Sequence, residues 1–143
     1  MVCHNINLKK LQSVQNAAAR LITRTRNYEH ITSILADLHW LPFADRIKFK
    51  IPLLTFKALN KQAPNYICEL ITRYSPSRSL RSSSAVFLDP VKFNLKNYRQ
   101  RAFAVVAPKL WNVLPKDLRR CDSINSFKSQ LKTYLFKSAF NLI

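Results

Sequence analysis

Apolar residues recur every three or four positions through most of this chain, and that spacing predicts helices. Over residues 8–24, Leu8, Leu11, Val14, Ala18, Leu21 and Ile22 share one face, with Lys9, Asn16, Arg20 and Arg24 opposite. Asn7 suits the N-cap and Asn27 the stop. A short second helix follows Thr32, carries Ile34, Leu35 and Leu38, and ends near Trp40-Leu41-Pro42, because a residue before proline is pushed out of helical geometry. The third helix, about 43–60, has two apolar stripes: Ile47, Ile51, Leu54 and Ala58 on one, Phe49, Leu53 and Phe56 on the other. A helix apolar on both sides belongs in the middle of a bundle. Between the stripes, Arg46, Lys50, Lys57 and Lys61 form a basic edge. Pro52 interrupts this helix, deletes one backbone bond, and predicts a kink costing about 3 kcal/mol unless packing absorbs it. Pro64 opens another short helix, running through Ile71.

The periodicity changes at Arg73. Residues 74–84 form a Ser-rich, basic loop, and Val86–Leu88 and Val91–Leu95 alternate as two short strands around Asp89-Pro90. Helical spacing returns from about Tyr98 to Val113 with Phe103, Val106, Leu110 and Trp111, and Pro108 falls inside that helix or at a break in it. After Pro115 a short turn leads to a last helix, about 123–139, whose stripe is Ile124, Phe127, Leu131, Tyr134 and Leu135. Phe136 and Phe140 make a second patch off that stripe. The expected class is therefore mainly α: a small irregular helical bundle with a basic central loop and one short β-hairpin. It is read as one domain, 1–143, with a helical part 8–72, a basic loop and hairpin 73–97, and a helical part 98–140.

Composition sharpens this picture at two points. Glycine is absent from all 143 residues. That excludes glycine-built phosphate cradles and the glycine nucleophile elbow. It also leaves asparagine as the next residue able to close a helix in the left-handed conformation, with Asn27, Asn60 and Asn97 as candidates. The second point is charge: 24 Lys and Arg against 7 Asp and Glu give a formal +17.

Enzyme chemistry finds no support in the residues. The seven carboxylates (Glu29, Asp37, Asp45, Glu69, Asp89, Asp117, Asp122) include no paired acidic motif able to hold two magnesium ions. His4, His30 and His39 are isolated, and His39 beside Trp40 reads as structural. Cys3, Cys68 and Cys121 are odd in number and lack metal-ligand spacing, so they read as thiols in a reducing compartment. No catalytic residue, metal or cofactor is expected, nor a small-molecule substrate. The longest clean apolar run, Ala102–Ala107, falls far short of the roughly 18 residues of a membrane span, and the expectation is an intracellular protein that does not engage membranes.

The cations point to a polyanion. The part after Thr72 carries fourteen bases and three acids, the part before it ten and four. Binding at several phosphates releases counterions and makes affinity steeply salt-dependent. The candidate phosphate contacts are Arg78, Arg81, Lys92, Lys96, Arg99 and Arg101, with Lys50 and Lys57 as a second line. Tyr74, Phe93 and Tyr98 interleave with them and suit base stacking. The alternative is a solvated cationic face, the commoner fate of a charge run. The electrostatic reading requires these arginines to gather along a shared groove, not to be taken up by backbone carbonyls.

A family resemblance adds to this. Leu11-Gln12-Ser13-Val14-Gln15-Asn16-Ala17-Ala18-Ala19-Arg20-Leu21-Ile22 resembles the helix following the polymerase core in non-LTR (LINE-type) retrotransposon reverse transcriptases, nearest the chicken-repeat and L2-like branch. Leu38-His39-Trp40-Leu41-Pro42, Tyr74-Ser75-Pro76-Ser77-Arg78, Ala107-Pro108-Lys109-Leu110-Trp111-Asn112 and Ser126-Phe127-Lys128-Ser129-Gln130-Leu131-Lys132 continue it in order, over about residues 8–140. The resemblance implies a C-terminal piece of the parent polyprotein. The endonuclease and palm would lie upstream, so the piece itself is not an enzyme. It implies a role holding RNA or DNA during target-primed reverse transcription. The alternatives are a docking module for the polymerase thumb, or a translated pseudogene fragment without a selected role. Pro52 stands where the family usually has an apolar helix former, and Arg99 where it commonly has glycine.

Overall fold

The computed structural model of the protein describes residues 5–75, 86–90 and 102–141, with residues 5 and 6 described by backbone alone. The described residues are mainly helical, as the periodicity expects. In order the helices are α1 (Asn5–Thr23), α2 (Ile31–Asp37), α3 (Phe43–Leu59), α4 (Asn65–Cys68), α5 (Phe103–Val113), α6 (Lys116–Arg119) and α7 (Ile124–Ala139). They fall into two compact units, Met1–Ile47 with Lys132–Ile143, and Lys48–Leu131.

Helix closure without glycine works differently from the expectation. Among the described residues the left-handed ones are Arg24, His39, Lys61 and Asn141, with φ from 51° to 55°. At His39 and Lys61 the bonds are those of a Schellman closure. Trp40 N donates to Leu35 O at 2.8 Å and His39 N to Ala36 O at 2.9 Å; Gln62 N donates to Lys57 O at 2.8 Å and Lys61 N to Ala58 O at 3.2 Å. At the end of α1, Thr25 N donates to Arg20 O at 3.2 Å. The chain thus accepts side chains with a β-carbon where glycine would cost nothing. Asn60 lies one residue before the left-handed position and Asn27 three after, while Asn97 lies outside the described residues.

In the first unit, α1 buries a different face from the one its apolar stripe predicts. Gln15 and Ala19 are buried, whereas Leu11, Val14, Leu21 and Ile22 are exposed, Leu21 by 81%. The reason is a set of amide bonds to the turn before α3. Gln15 Nε2 donates to Leu41 O at 2.9 Å, and Phe43 N donates to Gln12 Oε1 at 2.7 Å. The second bond satisfies one of the N–H groups that every helix start leaves orphaned. With that face turned inward, Ala19 packs against Ile34 and Leu35 of α2, with Ile31, Leu38, Trp40 and Phe140 around them. His39 is exposed and stacks on Phe136 at 5.5 Å between ring centroids.

The second unit is organised by aromatic rings. Phe127 is fully buried and stacks on Phe56 at 4.5 Å, with the Trp111 ring centroid 5.7 Å away. The buried residues of α3 are Pro52, Thr55, Phe56 and Ala58: Phe56 and Ala58 come one from each expected stripe, and Pro52 and Thr55 lie between the stripes. Pro52 lies inside α3 and is fully buried. Thr55, also fully buried, satisfies its hydroxyl on Ile51 O at 2.9 Å. Pro108 likewise lies inside α5. The short helix after Pro64 stops at Cys68, before Ile71.

No strand occurs among the described residues. Of the expected hairpin, the first arm makes an isolated antiparallel bridge, Leu88 with Arg73, and the second arm lies outside the described residues. Tyr74 N donates to Phe87 O at 2.9 Å and Asp89 N to Thr72 O at 3.0 Å. The outer edge of this segment is clasped by side chains of α5. Asn112 accepts from Leu88 N at 3.0 Å and donates to Leu88 O at 2.9 Å, doing with one amide what a neighbouring strand would do. Trp111 Nε1 donates to Val86 O at 2.9 Å.

Candidate nucleic-acid interface

Two of the eight candidate phosphate contacts, Lys50 and Lys57, lie among the described residues. Both belong to α3, seven residues apart, which is two turns and about 10 Å along one face. That face is opposite the buried line Pro52–Thr55–Phe56, so Lys50 is exposed and Lys57 half-buried. A half-buried lysine lays its methylenes on apolar neighbours while its ammonium reaches water. Arg78, Arg81, Lys92, Lys96, Arg99 and Arg101 lie outside the described residues, as do the stacking candidates Phe93 and Tyr98. Tyr74 is described and exposed.

The described arginines divide by use. Arg46, a member of the basic edge, donates from Nε to Leu41 O at 3.1 Å and lies over the Trp40 ring at 5.9 Å. Arg20 reaches Asn27 O and Glu29 O at 3.4 and 3.3 Å, and so ties α1 to the turn that follows it. Arg73 Nη2 donates to Leu59 O at 2.9 Å at the end of α3. Arg119 is the deepest, 6% exposed, with Nε on Leu114 O at 3.1 Å and Nη1 on Val86 O at 3.4 Å. Its guanidinium sits 4.1 Å from the Phe87 ring centroid. Burial, and secondly the neighbouring Arg120, hold its pKa below the ordinary arginine value. Each of these four spends part of its donor capacity on carbonyls or rings of its own chain and so supports the fold, and the polyanion reading stands first on the other cations.

Sequence reasoning missed Arg119. The available signal was a cation directly after the apolar Leu114 and Leu118, both of which are buried. A charge in that setting has to be bonded to something.

Among the described residues no group of His, Cys, Asp or Glu is placed to hold a metal ion. No helix among them is long and apolar enough to cross a membrane. No family model, curated protein or solved structure matches this chain.

Proposed function

We propose that this chain is a non-catalytic module that binds the backbone of RNA or DNA, and that it derives from the C-terminal region of a non-LTR retrotransposon reverse transcriptase. The observation that carries the proposal is the +17 surplus in a chain with only seven acids. Most of its cations have no carboxylate available in their own polypeptide, and a polyanion screens such self-repulsion. The exposed Lys50 supports the reading, and so does the concentration of bases beyond Thr72. The ordered sequence blocks support the origin.

Filter binding to single-stranded RNA over a salt series tests it. Affinity should fall steeply between 50 and 200 mM salt, by about 300-fold if six contacts form on a single strand. Affinity that stays flat across the series would overturn the proposal.

A second reading, a docking module, draws on the exposed apolar face of α1, where Leu11, Val14, Leu21 and Ile22 face water. Light scattering after size exclusion separates it from the first. A well-behaved monomer argues against an orphaned docking face.

A further inference from the structure

The second unit contains a cavity of about 270 Å³ that the polyanion reading does not use. Its lining includes the apolar Phe56, Leu59, Val86 and Trp111 together with Arg73, Arg119 and Arg120. One carboxylate, Asp122, shares the lining, leaving a surplus of two positive charges. Arg119 spends two of its N–H groups on Leu114 O and Val86 O, and a guanidinium has five. Arg73 spends one N–H on Leu59 O, which fixes its position against the end of α3. Among the described residues, these bonds use fewer donors than each guanidinium carries, and the carbonyls set where each group lies.

Like charges gathered in one lining carry a cost, and it falls chiefly on Arg119, because Arg73 and Arg120 are exposed and Arg119 is buried. Burial and Arg120 both press on Arg119 in this direction. Buried charges in proteins are paired, and carbonyl dipoles compensate a cation only in part. An anion in the cavity supplies the missing charge. Planar guanidinium forks match the oxygens of phosphate better than those of a spherical ion.

We infer that this cavity is a phosphate site, in which Arg73 and Arg119, with the charge of Arg120 beside them, bind the oxygens of a phosphate group whose organic body lies against the apolar lining residues. The inference rests on the polyanion reading for the source of the phosphate, a nucleic-acid strand, though the site itself follows from the cavity. A terminal monoester and an internal diester present the same oxygens, and the experiment separates them.

Cys121 lines the cavity and is half-buried; Cys68 is half-buried too but does not line it. Alkylation of the full chain by iodoacetamide, followed peptide by peptide in a mass spectrometer, thus carries its own control. Inorganic phosphate, with ionic strength held constant by chloride, should slow alkylation at Cys121 saturably and leave Cys68 unchanged. Arg73→Gln should weaken that protection about tenfold or more, the loss of a charge-assisted bond, with its thermal midpoint checked alongside. A single-stranded oligonucleotide lacking terminal phosphates should protect Cys121 if diesters enter. Protection only after 5′-phosphorylation would assign the site to chain ends. No protection by any of the three, or equal slowing at Cys68, overturns the inference. Steeply salt-dependent RNA binding without Cys121 protection removes this site and leaves the polyanion reading intact. Protection by inorganic phosphate with salt-insensitive RNA binding does the reverse.

Discussion

Replacing Asn112 by alanine removes both bonds that its amide makes to Leu88, at 3.0 and 2.9 Å. Leu88 is 1% exposed, so its N–H and C=O are left facing protein instead of water. An unsatisfied buried group costs about 1–3 kcal/mol. Two such groups would cost about twice that, but Asn112 itself is half-buried and water can follow the deleted amide inward, so the expected loss is about 2–4 kcal/mol. Urea denaturation followed by tryptophan fluorescence reads this as a lower midpoint with an unchanged slope. Asn112→Asp sharpens the test. An ionised carboxylate still accepts from Leu88 N but opposes Leu88 O, whereas the protonated acid donates to it. The folded state therefore favours the acid form and raises the carboxyl pKa above its unfolded value of about 3.9. A group raised in this way contributes its stability below the unfolded pKa and loses it as pH rises through the folded one. Relative to wild type, the aspartate variant should be nearly as stable at pH 3 and weaker at pH 7. An alanine variant with the wild-type midpoint, or an aspartate variant whose deficit does not change with pH, would refute the clasp.

Other substitutions probe separate parts of the argument. Phe127→Ala should cost about 3–5 kcal/mol in the same denaturation assay, because the ring is fully buried between Phe56 and Trp111. Lys61→Gly should raise the thermal midpoint, with a gain of up to about 1 kcal/mol, since φ is 55° there and the strain of the β-carbon exceeds the entropy glycine adds to the unfolded chain. The face that α1 buries is tested by a pair: Ala19→Leu overpacks the contact with Ile34 and Leu35 and should cost about 1–3 kcal/mol, while Leu21→Ser should stay within about 0.5 kcal/mol of wild type. A large loss at Leu21 with tolerance at Ala19 would restore the face that the apolar stripe favours.

The linear chain determined where most helices run. The 3.6-residue period is local, and it placed α3 and α7 within a residue or two of their observed ends and marked Phe127, Leu131 and Leu135 as the stripe that α7 buries. It also determined the charge surplus on which the functional reading rests, because net charge is a sum over residues and needs no coordinates. Where a helix turns its face depends on partners far along the chain, which no local period encodes. The stripe of α1 pointed outward because Gln12 and Gln15 bond a turn about 30 residues away. The same holds for the candidate site. Composition counts an arginine as a free cation, yet only the folded chain shows that Arg46 lies on a tryptophan, that Arg119 is held by two carbonyls, and that Arg73, Arg119 and Arg120 meet about one cavity. A guanidinium's use is set by which acceptors come within about 3 Å of it, and tertiary contact alone brings residues 73 and 119 together.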